Sequence, residues 1–162
     1  MTPATKGDSM AHQIGADFIL GGKAIFTVSN PQGEHYTFRV NRKEADARFD
    51  RRGNGLPTFF VKLLTGPDNG SDYTYLGILG SNGAVKLTKA SHYTDETRPV
   101  RVLRWAMGLV FGGRPVPDGY AIHHEGRCGR CGRRLTVPES VESGFGPECG
   151  GRIGVQAVYA AA

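Results

Sequence analysis

The sequence predicts an α+β fold: an antiparallel β-meander with one packed helix, and a small cysteine-bearing knuckle at the C-terminal end. Three observations lead there. Between residues 23 and 88, apolar side chains alternate over short runs punctuated by Gly, Pro, Asn and Asp, the pattern of strands joined by tight turns. From residue 98 the apolar spacing changes to the threes and fours of a helix. All three cysteines then fall within residues 128–149. Glycine at 24 of 162 positions agrees with a turn-rich sheet better than with a helical bundle.

Residues 1–17, MTPATKGDSMAHQIGAD, have almost no apolar periodicity and are expected to form a flexible tail, with order beginning near Phe18. KAIFTVSN and HYTFRV flank PQGE, so residues 23–40 read as a β-hairpin turning at Pro31 and Gly33. In its second arm Tyr36, Phe38 and Val40 share one face while His35, Thr37 and Arg39 share the other. Residues 41–55 are charged and poor in apolar anchors, which fits a short exposed helix or a mobile loop. Thr58–Leu64 and Tyr73–Leu79 are expected strands on either side of TGPDNGSD, and Ala84–Thr88 follows GSNG as another. Strands joined this closely pair antiparallel.

A helix is expected over 98–111, with Thr97 as its cap, Pro99 in its first turn and Gly112–Gly113 as its stop. Val102, Leu103, Ala106, Met107, Leu109 and Val110 give it an apolar face, with Trp105 beside it. Arg98, Arg101 and Arg104 recur on the solvated side. Phe38, Val61, Leu63, Leu76 and Ile78 of the sheet, with Leu103 and Met107 of the helix, are the expected core. The organisation that follows is a tail over 1–17, an α+β domain over 18–119, the knuckle over 120–152 and a second tail over 153–162.

Charge is unevenly spread. Residues 98–162 hold nine Lys/Arg against five Asp/Glu, a net of +4 within a chain total of +5. A basic C-terminal part points to an anionic partner, nucleic acid above all. The first twenty residues lack an apolar centre, so no secretory leader is expected. The longest apolar run, Trp105–Phe111, falls far short of the roughly 18 residues of a membrane span. Three cysteines cannot pair off completely, so the expected setting is the cytoplasm rather than a disulfide-bonded exterior.

The cysteines carry the chemistry. Cys128 and Cys131 stand two residues apart in CGRCG, where glycines let the backbone turn tightly and aim amide N–H groups at sulfur. Two thiolates at this spacing can hold a zinc ion at about 2.3 Å each. Thr136 and Glu139 form a capping box, with Pro138 suited to the first turn of a short helix that would bring the chain back to Cys149. A structural zinc takes four ligands, so a histidine is expected as the fourth, giving a Cys3His site and a structural Zn2+. Strand alternation in GYAIHH sends His123 and His124 to opposite faces, so one of them binds; His124-x3-Cys128 is the preferred choice. A redox pair is the competing reading, but such pairs sit at a helix start in a βαβ setting that is missing here. Unmetallated buried thiols are the other.

HEGRCGRCGRRLTVPESVESGFGPEC resembles a short cysteine-rich domain of unknown function found in phage and prophage proteins and in actinobacteria. The resemblance lies on His124, Gly126, Cys128, Gly129, Cys131, Gly132, Arg133, Leu135, Pro138, Ser140, Gly144, Gly146, Pro147 and Cys149. Upstream, LTGPDNGSDYTYLG is similar to a stretch that accompanies this motif in phage proteins. The resemblance implies a phage or prophage origin, a bacterial host cytoplasm as the setting, and zinc binding. It assigns no activity.

Catalysis is not expected. His123-x-Glu125 and Cys128-x2-Cys131 imitate the zinc deaminase signature, yet too few residues separate the two pieces to place them on two helices. Cys149 would also close the metal shell and leave no position for water. Two non-catalytic roles remain. Arg127, Arg130, Arg133 and Arg134 surround the expected metal, and Arg101 and Arg104 extend that patch if the helix packs beside it, which suits nucleic-acid phosphates. Tyr73 and Tyr75 share a strand face and could stack bases. Alternatively, the chain is a phage accessory, anti-defence factor that binds a host bacterial protein or nucleoprotein complex. Neither role calls for a membrane or a small-molecule substrate.

Overall fold

The computed structural model describes residues 14–50, 53–68, 70–124, 127–132 and 145. The expected helix over 136–143, Cys149 and most of both expected tails lie outside the described residues. In chain order the elements are α1 (Ala16–Ile19), β1 (Lys23–Ser29), β2 (His35–Lys43), β3 (Thr58–Leu64), β4 (Tyr73–Leu79), β5 (Val85–Lys86), α2 (Arg98–Phe111) and β6 (Ala121–His124). All six strands form one antiparallel sheet in the order β5-β4-β3-β2-β1-β6.

The meander β1 to β5 is therefore present, with β5 shortened from the expected Ala84–Thr88 to two residues. The sixth strand returns after the helix and pairs with β1, Val28 opposite Ile122 and Phe26 opposite His124. A domain boundary at 119/120 thus falls just ahead of a strand that belongs to the sheet. Residues 16 and 17, placed in the tail by sequence, sit in the helical turn α1. Of the charged stretch 41–55, the first three residues continue β2. Beyond them Asp46 Oδ1 accepts the amides of Arg48 and Phe49 at 2.8 Å each, which holds a loop and not a helix.

Alternation sorts the strands into two faces. The inner face carries Phe26 and Val28, Phe38 and Val40, Val61 and Leu63, and Ile122, all buried. Helix α2 lays Val100, Leu103, Ala106 and Met107, all fully buried, into the same cluster. Burying each large apolar side chain contributes about 1.5–3 kcal/mol. Between Val61 and Lys62 the β3–β4 register slips by one residue. This leaves Leu76 as the extra residue of a bulge and brings it into the core beside Leu79. Ile78 is buried as well, but on the outer face, where it borders a groove with Phe60 and Tyr75.

The ends of α2 are set locally. Pro99 stands in its first turn. Thr97 occupies the N-cap position, but its hydroxyl donates to the Thr94 carbonyl at 2.6 Å and makes no bond to a helix amide, so the expected side-chain cap is not formed. At the other end Gly113 N–H reaches Val110 O at 3.3 Å and Arg114 N–H reaches Leu109 O at 2.9 Å. That closure needs the left-handed φ of +65° that Gly113 adopts. Arg98 ties the helix to the β1–β2 turn through Glu34 Oε1 at 2.8 Å. The Asn30 side-chain amide and then Arg98 hold the Glu34 carboxyl below the usual carboxylate range. No described helix is long and apolar enough to cross a membrane.

Candidate metal centre and basic surface

Strand β6 delivers the first site residue. Its alternation turns Ile122 and His124 inward and His123 outward, opposite Thr27. His124 is 3% exposed and its ring lies 5.4 Å from that of Phe18 in α1. The preferred histidine is thus the one on the buried side, where Cys128 is also fully buried.

The cysteine turn follows at residues 127–132. Arg130 N–H points at Cys128 Sγ at 3.4 Å, and Gly132 N–H closes the turn on Cys128 O at 2.9 Å. Cys131 stays exposed at the exit of the turn. The amide-to-sulfur bond that the glycines were expected to allow is thus present at Cys128. Among the described residues no group of three or more His, Cys, Asp or Glu could hold a metal ion. Cys149, the third expected ligand, lies outside them.

The turn is docked onto the start of the sheet. Lys23 N–H of β1 donates to Gly129 O at 2.7 Å. Phe18 meets His124 on one side and Phe145, buried, at 5.9 Å on the other. The role of α1 was missed at the level of sequence. Its signal was the apolar triplet Phe18–Leu20 followed by the Gly21–Gly22 doublet, too short for any period. The doublet is there for closeness: a Cβ on Gly21 would stand 2.7 Å from Gly129 O and 2.8 Å from Phe145 Cε1. Gly21→Ala is expected to cost about 1–3 kcal/mol through this overlap, read as a lower urea midpoint. An unchanged midpoint would show that the turn does not pack there.

Residues 122–154 match a family of unknown function, DUF6011. No curated protein and no solved structure matches the chain. The DUF6011 match begins inside β6 and takes in His124, Cys128, Cys131 and Cys149, so it joins an edge strand of the sheet to the cysteine turn.

The expected arginine patch is only partly assembled. Arg127 and Arg130 flank Cys128 within the DUF6011 match, Arg127 exposed and Arg130 half-buried. Arg133 and Arg134 lie outside the described residues. Arg104 is elsewhere: it pairs with Asp95 at 2.8 Å and donates to Val85 O of β5 at 3.0 Å. β5 and β6 are opposite edges of the sheet, five strand spacings or roughly 24 Å apart. Arg101 borders a groove of about 610 Å³ beside the β1–β2 turn, at the end of β1 remote from Gly129. Arg101 and Arg104 therefore have surroundings of their own on α2, while Arg133 and Arg134, the rest of the expected patch, lie outside the described residues.

Proposed function

We propose that the chain is a non-catalytic zinc-binding protein of phage type that holds nucleic acid on a basic surface beside the metal. One observation carries this reading: a single tight turn, Arg127–Gly132, buries Cys128 with an amide on its sulfur, and Arg127, exposed, and Arg130, half-buried, flank that cysteine. His124, Cys128, Cys131 and Cys149 would hold the metal. Bound zinc supplies the cross-link that fixes the turn. Guanidinium groups held by such a turn meet phosphates without reading bases.

Arg127→Ala and Arg130→Ala are expected to weaken binding to random oligonucleotides, leave metal content unchanged, and each lower the salt slope of log K by about one. The loss should be alike across sequences. Absence of oligonucleotide binding at low salt, where electrostatics are strongest, would overturn the reading.

A second reading, an accessory factor that binds and inhibits a host protein, is favoured by one feature. Trp105 and Tyr120 are 38% and 40% exposed with ring centroids 5.3 Å apart, beside the groove that Glu34, Glu96, Arg98 and Arg101 border. Exposed aromatic anchors within mixed charge suit a protein partner. Stable co-purification with one host protein after nuclease treatment would support this reading over the first.

A further inference from the structure

The outer face of the sheet combines features that ordinary sheet packing does not require. An antiparallel sheet with helices on one side usually presents polar residues on the other. Here the outer face carries Phe60, Tyr73, Tyr75 and Ile78, and no described helix covers it. Phe49 of the β2–β3 loop lies 6.0 Å from Phe60, and Phe60 lies 6.1 Å from Tyr75. The three rings form a half-buried row along an open groove of about 790 Å³.

Cations are interleaved with these rings. Arg39 lies over the Tyr73 ring at 4.4 Å and Lys43 over Phe49 at 5.0 Å. Arg39 stands directly opposite Lys62, and Lys86 opposite Ile78. Two like charges facing each other across strands repel unless an anion lies between them. The sheet itself supplies none: no Asp or Glu stands in any of the six strands, whereas Lys23, Arg39, Arg42, Lys43, Lys62 and Lys86 do. Of the carboxylates in the adjoining loops, Glu44 pairs with Arg42, and three others accept backbone amides, Asp46 also lying near Lys43. Asp46 accepts Arg48 and Phe49 amides, Asp68 accepts the Gly70 amide, and Asp72 accepts the Asp68 amide.

We infer that this face is a platform for single-stranded nucleic acid, on which bases stack against Phe60 and Tyr75 while Arg39, Lys62 and Lys86 meet the phosphates. Half-exposed rings amid strand cations, on strands that carry no carboxylate of their own, match the two halves of such a ligand, a π-face and an anion at each nucleotide. A duplex keeps its bases stacked inside and cannot use the rings, so the platform selects unpaired strands. The inference rests on the nucleic-acid reading above for the class of ligand, but it occupies a different surface from the cysteine turn.

Anisotropy of labelled oligothymidine and of a labelled duplex, titrated with the full chain, tests both surfaces. Phe60→Leu and Tyr75→Leu keep apolar bulk and remove the ring. Each is expected to weaken oligothymidine binding roughly five- to a hundredfold and to leave duplex binding unchanged. Tyr75→Phe loses only the hydroxyl bond to Thr88 and should bind like the parent chain. Lys62→Gln should lower the salt slope for the single strand. Ultraviolet cross-linking of the unaltered chain to oligothymidine, followed by peptide mapping, should label β3 or β4 and needs no variant to fold. Normal single-strand binding by both leucine variants, with labelling confined to the cysteine turn, would overturn the platform and leave the arginine reading standing. Absence of binding to either probe would overturn both. A bound protein released from this face by Phe60→Leu would replace the nucleic-acid platform with a peptide site.

Discussion

Chain purified without added metal is expected to carry one zinc ion, and stripping it with a chelator should unfold more than the cysteine turn. Structural zinc sites contribute apparent binding free energies of about 10–16 kcal/mol at neutral pH, most of which is folding free energy. Sequence alone would confine the loss to residues 120–152 and leave the N-terminal sheet largely intact. The packing extends it. Cys128 and Phe145 belong to the same buried cluster as Phe18, Ile122 and Phe26. Hydrogen exchange after chelation should therefore lose protection in β6, in α1 and at the start of β1, where Lys23 bonds Gly129, and keep it in β2, β3 and β4. Cys128→Ser and Cys149→Ser should abolish metal retention, and His124→Ala should weaken it more than His123→Ala. A metal-free sample with full protection would sink the zinc assignment.

Phe18→Ala should be the most damaging single truncation near the site. The ring is 1% exposed and touches His124 and Phe145, while Gly129 packs so closely that a Cβ there would stand 2.6 Å from Phe18 Cδ1. Removing a buried phenyl group costs about 3–5 kcal/mol, against a total stability of about 5–15 kcal/mol for a domain. The melting temperature should fall by on the order of 10 °C. Because the ring buttresses the histidine, zinc should also be lost at lower chelator concentration than from the parent chain. Phe18→Leu, which refills most of the volume, should recover much of both. Unchanged melting together with unchanged metal retention in Phe18→Ala would show that α1 is not part of this centre.

What the sequence discloses depends on the range over which each signal acts. The helix over 98–111 and the strands Thr58–Leu64 and Tyr73–Leu79 were legible to the residue, because period, proline and glycine all act within a few positions. The cysteine turn was legible for the same reason, down to the amide that meets Cys128 Sγ. Pairing of β6 with β1 was not, since nothing local in AIHH names a partner so distant in the chain. The bulge that admits Leu76 to the core could not be read from strict alternation, which placed Ile78 there too. The partners of Arg104 were not legible, because spacing along a helix places a side chain on the solvated side without showing that Asp95 and the Val85 carbonyl wait for it. Residues outside the described part hold Arg133, Arg134 and Cys149, whose arrangement rests on spacing alone.

The strand order has a consequence for the growing chain on the ribosome. Strands β1 to β5 can pair as they emerge, each with its predecessor. The far side of β1 must wait for Ala121–His124, made only after the long helix. Until then a seven-residue strand bearing Phe26 and Val28 presents bare amides and carbonyls, the condition that invites pairing with another nascent chain. The opposite margin is shielded by brevity, since β5 is two residues long. Translation speed through residues 90–125 thus sets how long that single vulnerable margin stays open, and slow codons there should raise the aggregated fraction of newly made protein.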